Sequence, residues 1–356
     1  MYSYDYLLNF TKNVFVKMGC TEKDAIDTAK VFIAAELRGL ASHGVIRIID
    51  YYQLWKANRI NIKPTVKVVH ETPSTAVVDG DGAIGMIAAT KSMEVAIEKA
   101  KNVGSGWVST RASNHYGIAG YYAMMALEHD MIGICLTNAN PLVAPTWSVS
   151  RLMGTNPIAV AIPAKNHPPF VADFATTPIA RGKLAVAEKK GEKVRLGYVQ
   201  DSDGQPSDDP TILKRGGSML TLGGDYESGS HKGYCLSAIV DIFSAVLSGA
   251  NFGPFVPPSV AYLPLREEKV GEGTGHFFGA MRIDAFQEAD AFKEKMDKWI
   301  DTFRAAKSAP EKPKVLIPGD IERENEARIM KEGISIIPAV KTELIEIAKN
   351  LEIDFE

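Results

Sequence analysis

Two apolar segments that follow one another almost without a break constrain the fold most. Residues 157–164 and 169–173 both have strand character, and only the four residues 165–168 separate them. Two parallel strands need a crossover of a dozen or more residues, so this connection can join only an antiparallel pair. The sheet therefore contains antiparallel neighbours, and an all-parallel doubly wound sheet is excluded.

The middle of the chain alternates between strand-like and helical patterns. Short apolar runs at 75–79, 106–113 and 131–138 are separated by amphipathic stretches at 87–101 and 120–129. Runs of this length favour strands, and the spacing of apolar residues in the longer stretches favours helices. We therefore predict an α/β fold with a mixed sheet.

The flanking segments are predicted to be helical or irregular. The first ~60 residues have helical spacing throughout, and Thr21 with Asp24 has the pattern of a capping box. Residues 197–230 are rich in Gly, Ser and Asp and predict a long surface excursion. A strand at 275–283, a helix at 285–306 and two charged helices after residue 319 complete the chain.

Composition and charge exclude several classes of function. The 40 basic and 43 acidic side chains give a formal net charge of −3, without a basic stripe for nucleic acid. No apolar run approaches the ~20 residues of a membrane span, and the N-terminus lacks a secretory pattern, so a cytoplasmic protein is expected. Cys20, Cys135 and Cys235 are far apart, which favours neither a disulfide framework nor a metal site.

Residues 80–85 contain a formal GxGxxG motif between a predicted strand and a predicted helix. The motif can bind a dinucleotide in a Rossmann fold, or it can form a tight turn that needs glycine. A Rossmann site also needs an acidic residue at the end of the next strand, and this strand ends in Arg111-Ala-Ser-Asn114 instead. The sequence favours the tight turn and keeps the nucleotide site as the alternative.

A helix predicted to begin at Ser42 carries a candidate anion site. His43, Arg47 and Tyr51 recur at i, i+4 and i+8, so they share one face of that helix. Arginine holds a carboxylate with two hydrogen bonds, and histidine can donate a proton to a neighbouring carbonyl, as reduction of a 2-keto acid requires. The alternative is a solvated polar face. The residues predicted to pack inward are Val45, Ile48, Ile49 and Tyr52.

His115 is a second candidate, because it lies in a glycine-flanked loop between a predicted strand and a predicted helix. Its alternative is a histidine that is hydrogen-bonded in a turn. The segments 153–157, 173–183 and 228–233 each offer backbone amides, hydroxyls or a cation that could bind phosphate or ribose. The turn at Pro318 and Gly319 is either ordinary or closes over a cofactor.

Six motifs in this order resemble the second, non-Rossmann malate/L-lactate dehydrogenase family over most of the chain. They are Ser42-His-Gly-Val-x-Arg47, Asn114-His-Tyr-Gly117, Gly154-Thr-Asn-Pro157, Asp173-x-Ala-Thr176, His231-Lys-Gly-Tyr234 and Pro318-Gly319. The resemblance implies the family's fold, with a mixed, largely antiparallel sheet and a helical N-/C-terminal domain. It implies a helical substrate and dimer domain at 1–70 joined by 307–356, and a nicotinamide-binding sheet domain with a helical subdomain at 71–306.

The resemblance also implies roles for single residues. His115 is the preferred proton donor, His43 is the alternative donor and lies beside the nicotinamide, and no metal is expected. Substrate binding is assigned to Ser42, Arg47, Tyr51, Thr155 and Lys183. Cofactor binding is assigned to His43, Asn138, Asp173, Phe174, Ala175, Thr176, His231, Lys232, Gly319, Asp320 and Ile321.

The activity implied is hydride transfer between NAD or NADP and a small 2-hydroxy or 2-keto acid, with malate and oxaloacetate preferred, in a homodimer that binds neither nucleic acid nor membrane. The alternatives are another 2-keto acid or cyclic imino acid substrate (lactate, ureidoglycolate, sulfolactate or diketogulonate), or a ligand-binding relative without turnover. The sequence does not rank NAD against NADP.

Overall fold

The computed structural model describes residues 1–259 and 269–356 of the chain. Its α-helices are α1 (Tyr4–Met18), α2 (Glu22–Leu37), α3 (Arg47–Lys56), α4 (Gly85–Val103), α5 (Ala119–Met125), α6 (Arg181–Lys190), α7 (Ser230–Asp241), α8 (Ala289–Arg304), α9 (Asp320–Glu332) and α10 (Pro338–Leu351). Thr21 caps α2 by accepting the Asp24 N–H at 3.1 Å, so the predicted capping signal is confirmed.

A seven-stranded sheet forms the centre of the part that the structure describes. Its strands are β1 (Lys67–Glu71), β2 (Thr75–Asp79), β3 (Ser105–Ser113), β4 (Met131–Thr137), β5 (Ile158–Ile162), β6 (Phe170–Phe174) and β10 (Thr274–Arg282). The strands numbered between β6 and β10 belong to a separate small sheet, which is described below. The order across the sheet is β1-β2-β3-β10-β4-β5-β6. Only β2 and β3 are parallel neighbours among these strands, and α4 connects them. The predicted mixed, largely antiparallel sheet is confirmed, including the antiparallel pair of β5 and β6.

The predicted surface excursion contains more regular structure than its composition indicated. The short strands β7 (Val199–Gln200), β8 (Pro206–Ser207) and β9 (Ser218–Met219) form a three-stranded sheet. A small separate core, which includes Val143, Ile179 and Met219, lies beneath it. β1 was not predicted from the sequence. All five of its residues are exposed, so the strand has no alternation of apolar and polar positions.

The prediction that a helix begins at Ser42 was wrong. A 3₁₀ turn covers Ala41–His43, and α3 begins only at Arg47. The chain turns between them because the Glu36 carboxylate accepts the Val45 N–H at 2.8 Å, a bond that takes the place of helical pairing. The predicted apolar face is buried at Val45, Ile48 and Tyr52, but Ile49 is only partly buried.

The C-terminal helices pack against the N-terminal ones. α10 contacts α1 and α3, α9 contacts α2, and Tyr2 pairs with Ile334 through a β-bridge. One buried core extends from these helices to the helices and strands of the large sheet. The division at residues 70 and 307 stays a prediction. Among the residues described, none of the helices has the length and hydropathy of a membrane span.

Candidate active site

His115 follows the end of β3, in the loop that leads to α5. Its Nδ1 lies 3.0 Å from the Tyr51 hydroxyl and 3.4 Å from the Gly117 backbone N–H. The Tyr51 hydroxyl also donates to the His115 carbonyl, and its ring is 1 % exposed. Tyr51 therefore lies behind the imidazole, on its buried side. The hydrogen bonds that the structure gives the imidazole all involve Nδ1, so Nε2 is left for another partner.

The glycine motif at 80–85 supports the His115 loop. The Gly80 and Gly82 amides donate to the Arg111 and Ala112 carbonyls at 2.9 and 2.7 Å. A Cβ on Gly85, the first residue of α4, would lie 2.1 Å from the His115 carbonyl oxygen. Two of the amides that would bind phosphate in a dinucleotide site are therefore paired with β3, and the motif is a tight turn.

The side chain of Asn114 fastens the same turn. Its Nδ2 donates to the carbonyls of Gly82 and Ala83 at 3.1 and 2.8 Å. The backbone that carries His115 is thus held by the turn after β2 and by the first residue of α4. These contacts fix the position of the His115 backbone, from which the imidazole extends.

His43 and Arg47 approach from the 42–47 segment. His43 Nδ1 lies 3.0 Å from the Ser42 hydroxyl. Arg47 donates through Nε to the Ser42 carbonyl and through Nη1 to Asp50, both at 2.8 Å. These two bonds hold the plane of the guanidinium, and neither involves Nη2. The first turn of α6 also lies at this segment, because a Cβ on Gly182 would be 3.2 Å from Ser42 Cβ.

The two predicted histidines meet in space although 72 positions separate them in the sequence. Their rings are 5.6 Å apart and nearly parallel, at 22°. Burial, with Arg47 as a second cause, lowers the pKa of His43 to about 4. Burial, and then His43, Arg47 and His276, hold the pKa of His115 well below its usual range. Both imidazoles are therefore neutral near pH 7, and each can accept a proton.

The structure ties Thr155, Thr176 and Asn138 into the protein. Thr176 is fully buried and donates its N–H to the Thr155 carbonyl at 2.9 Å. Asn138 donates to Asp241 and to the Asn251 carbonyl, and it accepts the Gly275 N–H. Its side-chain amide is therefore fully engaged within the chain. Thr155 is half-buried, and Lys183 is exposed in the first turn of α6.

Several predicted cofactor residues lie along the outer edge of β6. Asp173 accepts the Gly120 N–H at 2.7 Å near the start of α5, and burial raises the pKa of its carboxyl to about 6. The turn at Gly319 packs on β6, because the preceding carbonyl accepts the Val171 N–H. Phe174 and Ile321 are exposed apolar side chains, and Ala175 is half-buried.

Asp320 has structural partners for both of its oxygens. Oδ1 pairs with Arg304 and Arg323 at 2.9 and 2.7 Å, and Oδ2 accepts the Ile317 N–H. The carboxylate is buried, and these partners hold its pKa below the usual range in spite of burial. Asp320 therefore fixes the turn before α9.

His231 and Lys232 begin α7, as the predicted phosphate-binding loop requires. The His231 ring contacts Tyr226, with centroids 4.9 Å apart, and Tyr226 stacks on Trp147. His231 Nδ1 is buried and has no hydrogen-bond partner among the described residues. Lys232 is exposed. A buried nitrogen without a partner is unfavourable, so this position favours an external ligand.

Two buried polar residues beside the site, His276 and Glu36, were not predicted from the sequence. His276 on β10 lies 2.7 Å from both the Ser113 and Thr137 hydroxyls, stacks on Tyr116, and its burial lowers its pKa to about 3. Glu36 lies under the 42–47 segment. Glu36 interrupts the apolar run 31–37, and His276 directly precedes the apolar run that begins at Phe277, so these polar positions were the available signal.

Known proteins are similar to this chain in sequence over almost its whole length. A sequence model of the family described as malate/L-lactate dehydrogenase matches residues 2–345. The chain is 40 % identical to a malate dehydrogenase of Pyrococcus horikoshii over 98 % of this chain and 95 % of that protein. It is 40 % identical to an L-sulfolactate dehydrogenase of Methanocaldococcus jannaschii over 97 % and 95 %.

The similarity extends to three dimensions. The crystal structure of a malate dehydrogenase from Entamoeba histolytica superposes with a TM-score of 0.92 at 33 % identity, covering 99 % of this chain and 98 % of that one. The family model, the relatives and the solved structure thus lead to one assignment. The chain belongs to the malate/L-lactate dehydrogenase family.

Proposed function

We propose that the protein is a NAD(P)-dependent oxidoreductase that interconverts a 2-hydroxy acid and a 2-keto acid, with malate and oxaloacetate as the first substrate pair. The observation that carries this proposal is the convergence of His43, His115 and Arg47 at one place. The names of the relatives support malate, and sulfolactate is the second candidate. The cytoplasmic location stays a prediction.

His115 is assigned the proton transfer. The Tyr51 hydroxyl donates its proton to the His115 carbonyl and can accept the Nδ1 proton, and this tautomer leaves Nε2 to accept a proton from the substrate. In oxidation of the hydroxy acid, the neutral imidazole accepts the hydroxyl proton. In reduction it must first be protonated, and the negative charge of a bound keto acid favours that state. Reduction should therefore be favoured by lower pH and oxidation by higher pH.

Arg47 is assigned the substrate carboxylate. Its Nε and Nη1 are held by Ser42 and Asp50, so the guanidinium is positioned before substrate binds. A cation held in place loses little conformational entropy on binding an anion. We assign Tyr51 to orient His115 rather than to touch the carboxylate, because its hydroxyl is buried against that residue.

A nicotinamide cofactor fits the chemistry of the residues assigned to it. His231 Nδ1 has no hydrogen-bond partner among the described residues, Lys232 is exposed for a phosphate, and Phe174 and Ile321 present apolar surface. When bound, the cofactor supplies the hydride for the carbonyl carbon. Asn138 and Asp320 would act by holding the surrounding backbone, since their side chains are already paired. Both NAD and NADP fit these groups.

The first experiment measures oxidation of NADH and of NADPH at roughly 340 nm, the nicotinamide absorbance band, with four substrates: oxaloacetate, pyruvate, sulfopyruvate and a cyclic imino acid. We expect saturable turnover with oxaloacetate or sulfopyruvate and with at least one cofactor. Activity with pyruvate or the imino acid alone would replace the proposed substrate. No turnover with any of them, while NADH still binds, would indicate a ligand-binding relative.

We also propose that the protein is a homodimer, with its interface on the outer face of α7 rather than on the segments 1–70 and 307–356 that the resemblance implies as the dimer domain. The helix continues as a π-helical stretch over Ile242–Val246. The large apolar side chains on this face are Tyr234, Leu236, Ile239, Ile242, Phe243, Val246 and Leu247, and each is between 37 % and 58 % exposed. Asp241, the charged side chain within this stretch, bonds to Asn138 and the Gly253 N–H.

A second copy of the chain is the partner that this face fits best. Leu236, Ile239, Phe243 and Val246 follow one another at steps of three, four and three residues, the spacing by which two helices pack together. The exposed apolar area is on the order of 600 Å², close to the ~800 Å² that each partner contributes to a standard interface.

Replacing Ile239 with glutamate should convert the dimer to a monomer, because a charge would be buried at the centre of the interface. Sedimentation velocity measures the change. The control is Val103→Glu at the end of α4, because Val103 is 51 % exposed and lies outside both this face and the segments 1–70 and 307–356. A wild-type protein that sediments as a monomer, or dimers of the Ile239 variant, would contradict the proposal.

A further inference from the structure

Glu36 has no role in the reaction proposed above, yet it is the acidic side chain that underlies the 42–47 segment. It is in the last turn of α2, 6 % exposed, within the main core. A carboxylate is rarely buried this deeply unless it has a specific partner. Its partner is the Val45 backbone, whose N–H it accepts at 2.8 Å through Oε1.

The contact is matched by Gly44. A Cβ at that position would lie 2.0 Å from Glu36 Oε1 and 2.4 Å from Cδ, so the carboxylate fills the space that any larger residue would need. Val45 is itself buried, and so is Gly44. The same carboxylate therefore holds the backbone by a hydrogen bond to Val45 and by packing against Gly44.

The segment held in this way carries three residues of the proposed site. Ser42 and His43 belong to the 3₁₀ turn directly before Gly44, and Arg47 begins α3 two residues after Val45. Because the 3₁₀ turn ends at His43 and α3 begins only at Arg47, the two side chains are not placed as they would be on a single helix. The Arg47 guanidinium also bonds back to the Ser42 carbonyl across this break.

We propose that Glu36 is a positioning residue, which sets the geometry of His43 and Arg47 through its contacts with Gly44 and Val45. The inference rests on the proposed function for its consequence in catalysis, but the tether itself is a property of the fold. Burial raises the pKa of Glu36 to about 7, and the Val45 N–H opposes that rise, so the bond helps to hold the carboxylate in its buried position.

The test compares three variants of Glu36. Glu36→Leu fills a similar volume without an acceptor, and it should lower kcat/KM by roughly 10- to 100-fold, since small misplacements of reacting groups cost this much. Glu36→Gln keeps an acceptor oxygen and should restore most of the activity. In Glu36→Ala the space above Gly44 is open, so Gly44→Ala should add little to the loss in that background, although it is damaging in the wild-type background.

Two controls separate positioning from a general loss of stability. Ile300 in α8 is fully buried. Ile300→Ala should therefore lower the free energy of unfolding without a matching loss of kcat/KM. Hydrogen exchange of peptides spanning residues 40–48 should accelerate in Glu36→Leu and not in Ile300→Ala. This measurement needs no activity, so it tests the tether even if the proposed function fails.

The outcomes are distinct. A wild-type enzyme without turnover would remove the proposed function and leave the exchange result to decide the tether. Unchanged exchange in Glu36→Leu, equal losses in the Gln and Leu variants, or additive effects of Glu36→Ala and Gly44→Ala would each overturn the proposal.

Discussion

Replacing His115 with glutamine should lower kcat by roughly 10²- to 10⁴-fold, the usual contribution of a general acid or base. Glutamine has a similar reach and keeps polar atoms near Tyr51, but it cannot exchange a proton at neutral pH. Affinity for the cofactor should be unchanged, because His115 belongs to none of the predicted cofactor contacts. Steady-state kinetics and a fluorescence titration of NADH measure the two quantities.

Two further variants test the roles assigned to Arg47 and His43. Arg47→Gln should chiefly raise the KM for the keto acid, because it removes the cation that binds the carboxylate. His43→Gln measures the alternative proton donor, since its ring lies 5.6 Å from that of His115. If His115→Gln retained nearly native kcat while His43→Gln lost it, the roles of the two histidines would have to be exchanged.

Replacing Gly85 with alanine should destabilise the protein by about 3 kcal/mol, the upper range for overpacking a closely packed site. The added Cβ would lie 2.1 Å from the His115 carbonyl oxygen and 2.3 Å from that of Asn114. Either α4 or the His115 loop must move, so kcat should fall along with stability. Urea unfolding followed by circular dichroism measures the first effect.

Gly191→Ala is the matched control for this substitution. Gly191 ends α6 with a φ of +67°, and an added Cβ there meets no atom within 4 Å. It should cost only the ~1 kcal/mol of an alanine in the left-handed conformation, without an effect on turnover. If the Gly85 variant unfolded at the wild-type urea concentration, the glycine motif would have no role in supporting His115.

The sequence predicted most elements of the fold because local patterns determine them. β2 was predicted at its observed bounds, and α4 and β3 were within two residues. Thr21 acts on its own helix, so its capping role was visible without any tertiary information. The antiparallel pairing of β5 and β6 followed from the shortness of the connection between them.

The remaining features depend on contacts between distant residues. The helix was predicted to start at Ser42 because Ser42 is a good N-cap. Glu36 changes the path of the chain there, because its carboxylate accepts the N–H of Val45, nine positions later, and α3 begins only at Arg47. Tyr51 was predicted to bind substrate from the polar face of its helix, and the structure buries its hydroxyl against His115. The site roles themselves were suggested by family resemblance, and they stay predictions until the variants above are measured.

The central place of β10 has a consequence for how this chain is made. Residues 274–282 separate β3 from β4, so the two strands that lead to His115 and Asn138 have no common partner until that late segment has been translated. A growing chain therefore exposes two unpaired strand edges while residues 138–282 are made, a condition that favours aggregation and chaperone binding. Assembly of the site is then tied to the last quarter of the polypeptide leaving the ribosome rather than to its first half.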